Sequence, residues 1–326
     1  MKIIGLGNAL VDILTRIDDE HILNVLQLPK GSMQLVDEKK SAQVQGAMAS
    51  FTQQRASGGS ASNTIHGLAR LGLETAFIGH VGQDETAAFF ERDMQQAGIN
   101  PILFNSPTAS GIAHAIISPD GERTFATYLG AAIELEAKHI QPELFDGYDM
   151  LYVEGYMVQN EELLLKAMQL AKNAGLQIAI DLASYNVVES NKDLLHHVIE
   201  TYVDILFANE EEARAFTGAE PEAALNALSS LCNLCVVKLG AAGSLIHTTN
   251  TVHRIGVFDA TVVDTTGAGD LFAAGFLYGY VKGWPLTAAG QLGALLSARV
   301  IEVIGPKLSD QQWKDIREHM KRIEKQ

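Results

Sequence analysis

Asp264-Thr265-Thr266-Gly267-Ala268-Gly269-Asp270 is the stretch whose residue types and spacing most directly imply chemistry. It runs at once into Leu271-Phe272-Ala273-Ala274-Gly275-Phe276-Leu277, which predicts a loop opening into a buried helix that begins near Ala268. The amides of Gly267, Ala268 and Gly269 are then open donors at the positive end of the helix dipole, with little side-chain bulk in front of them. Such a place holds an anion, and Asp270 faces whatever is held. A carboxylate beside a phosphate-sized site suits a base that acts next to a transferring phosphoryl group. In isolation the same residues also suit a tight turn whose Asp270 only complements the dipole.

Three other stretches carry chemistry. Ser57-Gly58-Gly59-Ser60-Ala61-Ser62-Asn63 is a second glycine loop entering a helix; its glycines permit close approach to a ligand, and Asn63 lies about one turn inside. Asn209 and Glu212 stand at i, i+3 at a helix start, so both side chains reach one point, such as a hydrated magnesium, or form a capping box with each other. Lys238-Leu239-Gly240-Ala241-Ala242-Gly243-Ser244 ends a strand in a glycine loop without P-loop spacing. Near the start, Asn8 and Asp12 interrupt the apolar run Lys2 to Ile13. A buried Asp12 needs either internal partners or the hydroxyls of a ligand.

The elements that must position these groups follow from pattern. Strand-like apolar runs at 150–153, 177–181, 205–209 and 235–239 alternate with helices around 161–173, 192–201 and 221–230, which argues a mostly parallel sheet with helices on both faces. Asp181 and Asn209 then fall at carboxyl ends of strands, where open α/β sheets bind ligands. Gly111 to Ile117 and Arg123 to Tyr128 form a hairpin about the turn Ser118-Pro119-Asp120-Gly121, and with the β-like pieces near Asp12 to Ile17 and Met33 to Val36 they make a small separate sheet. A weakly amphipathic helix is expected from Asp37 to about Gln54.

The chain has 326 residues and a formal net charge of -15, which argues against a nucleic-acid surface and suits a cytoplasmic enzyme. No apolar stretch approaches the roughly 20 residues of a membrane span. Cys232 and Cys235 are spaced Cys-x-x-Cys among core residues, and two cysteines alone do not make a zinc site.

Together, Gly58 to Asn63, Asn209-x-x-Glu212 and Asp264 to Asp270 stand in an order that resembles the PfkB/ribokinase family of sugar and nucleoside kinases, over essentially the whole chain. The resemblance implies a ribokinase-like α/β fold: residues 1–10, 39–99 and 130–326 as a large nucleotide-binding and catalytic domain, and 11–38 with 100–129 as a β lid. It implies ATP as phosphoryl donor, magnesium, and transfer to the primary hydroxyl of an adenosine-like nucleoside or a sugar. Asp270 becomes the general base, the Gly267, Ala268 and Gly269 amides the anion hole, and Arg123 a lid arginine over the phosphates. Asn8, Asp12, Gly58, Gly59 and Asn63 match acceptor-binding positions; Lys238, Gly240, Gly243 and Thr265 match the ATP side. Asn209 and Glu212 would hold magnesium through water, and Asp264 and Thr266, with the 300–305 loop, a potassium ion. Gly7 to Ile13 and Phe207 to Ala213 are similar to the adenosine-kinase branch, but Gln34 is displaced by one residue from that branch's base-contacting glutamine, which reverses its facing in a strand. A ribokinase-type or fructokinase-type sugar kinase is the alternative, and a ligand-binding protein without catalysis is a further one. Monomer and homodimer are both compatible with the pattern.

Overall fold

The computed structural model describes residues 1–248 and 251–324. Its strands are β1 (Ile3–Leu6), β2 (Leu10–Arg16), β3 (Met33–Leu35), β4 (Gln53–Gly58), β5 (Thr75–Val81), β6 (Ile99–Asn105), β7 (Gly111–Ile117), β8 (Arg123–Tyr128), β9 (Met150–Glu154), β10 (Gln177–Asp181), β11 (Ile205–Asn209), β12 (Leu234–Lys238), β13 (Ser244–Thr248) and β14 (Thr251–Ile255). The large sheet has the order β14-β13-β12-β11-β10-β9-β1-β5-β6. It is parallel from β6 to β12 and closes with an antiparallel β12-β13-β14 edge. Its central strands are buried on both faces, as a parallel sheet covered by helices on both sides requires.

Register sets the site's edge. Asp181 pairs with Glu154 and Asn209 with Lys238, so four polar residues from neighbouring strands stand side by side at the carboxyl ends. Above them lies the helix Ala268–Val281, which is apolar nearly all round because it is covered on several sides. Its glycines permit the close packing. A Cβ on Gly275 would lie 2.7 Å from the Leu292 carbonyl oxygen, and one on Gly279 2.7 Å from Ala289 Cα.

The small sheet has the order β3-β8-β7-β2-β4. Paired residues share a face, so the row Asp12, Ala113, Thr127, Leu35 defines one side of it, and Arg123, Phe125, Leu14 and Met33 lie on that side by two-residue steps. The opposite side carries His114, Ala126 and Gln34; the helix Glu38–Met48 covers it, with Ser41 Oγ 3.0 Å from His114 Nε2.

Strand membership differs from the expected segments in several places. The apolar run from Lys2 to Ile13 is two strands in two sheets, broken at Gly7, where a Cβ would meet Glu154 Oε2 at 2.4 Å. The helix expected to reach Gln54 ends at Met48, since Gln53–Gly58 is β4, a polar edge strand of the small sheet. Ile99–Asn105 belongs to the large sheet despite Pro101, which an edge strand tolerates. The helix Glu38–Met48 and β4 thus pack with the small sheet, and β6 does not.

Gly275→Val drives a branched side chain into the backbone of the neighbouring helix Leu286–Val300. The expected outcome is a melting temperature lower by at least about 5 °C, read by circular dichroism, or no soluble protein.

Candidate active site

Gly267 caps the helix Ala268–Val281 in the left-handed region at φ 76°, which a glycine adopts without strain. The first intrahelical bond runs from the Leu271 amide to the Gly267 carbonyl at 2.8 Å, leaving Gly269 and Asp270 as open first-turn donors. Of the three expected amides, that of Ala268 is instead engaged, donating to the Thr265 carbonyl at 3.2 Å in the turn that builds the loop. The Asp270 carboxylate is held at both oxygens, by Ser60 Oγ at 2.7 Å and Asn63 Nδ2 at 2.9 Å. Burial pushes its pKa up to about 6, against those two donors and Lys238. It is therefore ionised at neutral pH yet close enough to titration to accept a proton.

On one side of Asp270 opens a cavity of about 780 Å³. Its polar end is formed by Asp181, Asn209, Glu212, Lys238 and the Gly267–Asp270 turn, and its apolar end by Val257, Phe258, Val262, Ala294 and Ile301; Gly240, Gly243 and Thr265 also line it. Lys238 Nζ bonds Asp181 Oδ2 at 2.6 Å and lies 3.1 Å from where a Gly269 Cβ would stand, so its ammonium flanks the open amides. Burial works against that charge, but Asp181, Glu212 and Asp270 outweigh it and hold the pKa above the ordinary lysine value.

Asn209 and Glu212 form the capping box: each accepts from the other's amide at 2.8 Å, and Asn209 Nδ2 donates to Glu212 Oε1 at 2.7 Å. Burial, then Asp181, raises Glu212 to about 7. Among the described residues no group of three or more His, Cys, Asp or Glu side chains could chelate a metal directly. The donor set fits a magnesium ion carried by phosphate oxygens and met through water by Asp181 and Glu212.

On the other side of Asp270 stands the small sheet. Gly58 is the last residue of β4 rather than a loop residue, and a Cβ there would fall 2.3 Å from Asp12 Oδ1. Gly59, at φ 92°, would meet the Asn8 carbonyl oxygen at 2.2 Å. The two glycines thus admit the protein's own Asp12 and Asn8. Burial raises Asp12 to about 7, with Lys307 opposing. Asn8 is oriented by Glu154: its backbone N–H and one side-chain N–H both donate to Glu154 Oε1, at 2.9 and 2.7 Å. Glu154 Oε2 accepts from the Ala61 amide at 2.9 Å, so one buried carboxylate ties the β1–β2 crossing to the N-terminus of the helix Ser60–Leu71. That burial lifts Glu154 to about 7.

Arg123 reaches from β8 to the loop, with Nη1 2.5 Å from Asp264 Oδ1 and Nη2 3.1 Å from Thr265 Oγ1. Asp264 also accepts from the Thr266 amide at 2.6 Å and the Gly305 amide at 2.8 Å. The carboxylate expected to help hold a potassium ion with Thr266 and the 300–305 loop thus accepts from a guanidinium and two amides in this structure.

Sequence reading passed over Ser60 as a partner of Asp270, and over Glu154, Lys307 and the 257–262 wall. Glu154 did carry a signal, an acid closing the apolar run Met150 to Val153; the others did not. Cys235 is buried and Cys232 partly so, both free. Among the described residues no helix is long and apolar enough to cross a membrane.

A parallel sheet with a second small sheet, meeting over an open helix N-terminus and a buried carboxylate, defines a ribokinase-like α/β phosphotransferase. The chain belongs to the pfkB family of carbohydrate kinases, whose pattern it matches over residues 32–313. Adenosine kinase from Sinorhizobium meliloti superposes with a TM-score of 0.87 and 32% identity over 98% of this chain and 99% of that one. A probable sugar kinase from Rhizobium etli superposes at 0.88 with 31% identity over 98% of both. In sequence, 5-dehydro-2-deoxygluconokinase from Geobacillus kaustophilus is 28% identical over 75% of this chain and 78% of its own length. As a member of this family the protein is a sugar or nucleoside kinase that uses ATP and acts on a hydroxyl group.

A carboxylate whose folded pKa is raised holds its proton in the native state between the unfolded and folded values, so it lowers stability as pH rises through that window, here from about 4 to about 6 for Asp270. The expected outcome is that Asp270→Asn melts above the parent at pH 8, and that this gap narrows at pH 5. Differential scanning calorimetry at the two pH values checks it.

Proposed function

We propose that the protein transfers the γ-phosphoryl group of ATP to the primary hydroxyl of a neutral nucleoside of the adenosine type. The observation that carries the kinase chemistry is the Asp270 carboxylate, fixed by Ser60 and Asn63 beside the open amides of Gly269 and Asp270 and the Lys238 ammonium. Asp270 takes the hydroxyl proton as the oxygen attacks. The turn amides and Lys238 stabilise charge on the transferring group. Asp181 and Glu212 would hold a magnesium ion through its water, and the ion would supply charge to neutralise the leaving phosphates. The 257–262 wall and Ala294 take the flat base of ATP. Arg123 ties the small sheet down as a lid, which keeps water from the phosphoryl group.

The nucleoside reading rests on the site-facing row of the lid. Met33 and Leu35 share a face with Asp12, separated from it by two strands of the sheet, and are 55% and 59% exposed, an apolar shelf on the same face as the residue suited to ribose hydroxyls. Gln34 points to the opposite face, so a base here is met by apolar contact rather than by that amide. Similarity over nearly the full length to adenosine kinases, such as that of Schizophyllum commune at 25% identity over 94% of this chain, supports the same choice.

ADP release is measured with ATP and magnesium against adenosine, other nucleosides, ribose and fructose. Adenosine is expected to be preferred, and turnover of ribose or fructose alone makes the protein a sugar kinase. Asp270→Asn is expected to lower kcat by about 10²–10⁴-fold. With the parent, log kcat/KM should climb with pH and level off above about 6; a flat profile from pH 5 to 8 removes Asp270 as base. Met33→Asp with Leu35→Asp is expected to raise KM for adenosine while leaving KM for ATP unchanged.

A further inference from the structure

Lys307 lies where the two halves of the site meet, and the reaction as described gives it no part. It follows Gly305, whose amide is bonded to Asp264, and Pro306, whose Cβ lies 2.8 Å from where a Gly267 side chain would begin. Farther on, Asp310 pairs with Arg70, and Arg70 lies 5.7 Å over the Trp313 ring. The segment therefore runs from the anion loop along the helix Ser60–Leu71. Lys307 comes beside the face that carries Asn63 and His66, one turn apart. Its charge is felt by His66 on that helix, by Asp12 on the small sheet, and by Asp270 and Asp93.

Two polar atoms of this place are buried without a hydrogen-bond partner among the described residues: Lys307 Nζ, a donor, and Asn63 Oδ1, an acceptor. Asn63 spends its amide on Asp270, which fixes the orphaned oxygen on the same side group. The ammonium is short of hydrogen bonds but not of countercharge, since Asp12, Asp93 and Asp270 all favour its protonated form, against a burial that brings it down to about 8. An added anion would face those carboxylates, whereas a neutral oxygen supplies the missing bond and adds no charge. A hydroxyl group both donates and accepts, so hydroxyls satisfy Asn63 Oδ1, Lys307 Nζ and the Asp12 carboxylate together.

We propose that Lys307 determines acceptor specificity, donating to a neutral oxygen of an uncharged, polyhydroxylated acceptor and leaving sugar acids and sugar phosphates excluded. The inference deepens the kinase reading and rests on it for the identity of the site.

The test compares the parent with Lys307→Met and Lys307→Gln, using adenosine, ribose and fructose against 5-dehydro-2-deoxygluconate and fructose 6-phosphate. The parent should favour its best neutral acceptor by at least about a hundredfold in kcat/KM. Lys307→Met should raise the acceptor KM about tenfold or more with KM for ATP nearly unchanged, and Lys307→Gln, which keeps a donor, should recover part of the loss. Should the methionine variant fail to fold, a raised acceptor KM in the glutamine variant supports the assignment and an unchanged one overturns it. Parent preference for an anionic acceptor overturns it, as does a folded Lys307→Met with the parent's acceptor KM. Melting shifts with each acceptor in the absence of ATP separate the two readings: Lys307-dependent binding of neutral acceptors without turnover leaves this inference standing while the kinase reading fails.

Discussion

An ionised carboxylate buried at the open end of a helix is the constraint on which the rest of this structure depends. Asp270 must stay charged near neutral pH although its surroundings favour the protonated form. Two side-chain donors from another helix keep it so, and they must arrive at hydrogen-bond distance. This fixes the N-terminus of the helix Ser60–Leu71 against that of Ala268–Val281. Gly67 lets the helices approach, since a Cβ there would lie 2.7 Å from Ala274 Cβ. Thr64 adds a bond to the Asp270 carbonyl at 3.2 Å. The Ser60 helix is anchored in turn through its Ala61 amide to Glu154, which also holds the crossing between the two sheets.

Charge in the site is arranged by depth rather than by total. The chain is acidic overall, at -15, and a nucleotide triphosphate is an anion. Lys238 and Arg123 nevertheless stand against the anion loop, each paired with one carboxylate, Asp181 and Asp264, that orients it. Focused cations beside open amides decide the local potential in a low-dielectric pocket, and the surface charge is screened by salt. Lys238 belongs to the large sheet and Arg123 to the small one, so the two bodies contribute to the same loop.

The small sheet meets the anion loop through Arg123 and the neighbouring 304–305 segment through apolar side chains. Leu14, Ala115 and Ile117 form a cluster with Phe125 and Ile304, and Leu14 lies 2.9 Å from where a Gly305 side chain would begin. The cluster is small, whereas the large sheet is sealed by two extensive cores. The small sheet is also tied into one of these cores, since Val11 and Ile13 of β2 belong to it and Ile112 of β7 packs against it.

The amino-acid sequence by itself determined the alternation of apolar strands and helices, the hairpin at Ser118 to Gly121, and the loop-to-helix opening at Gly267. Each of these is written in local periodicity or in turn residues. It also marked Asp12, Asp181, Asn209 and Asp270, because a polar group at the end of an apolar run stands out. Polar or proline-bearing edge strands, β4 and β6, were not legible, since an edge strand lacks the two-sided burial that makes a pattern. Nor were partners visible. That Gly58 makes room for Asp12, that Asn8 answers Glu154, that Arg123 closes on Asp264 and that the Lys307 charge acts on Asp12 and Asp270 are facts about residues dozens to hundreds of positions apart. Sequence spacing carries no distance across such separations. Only the packing of two sheets against one pair of helices brought these groups together and decided which of them were already satisfied.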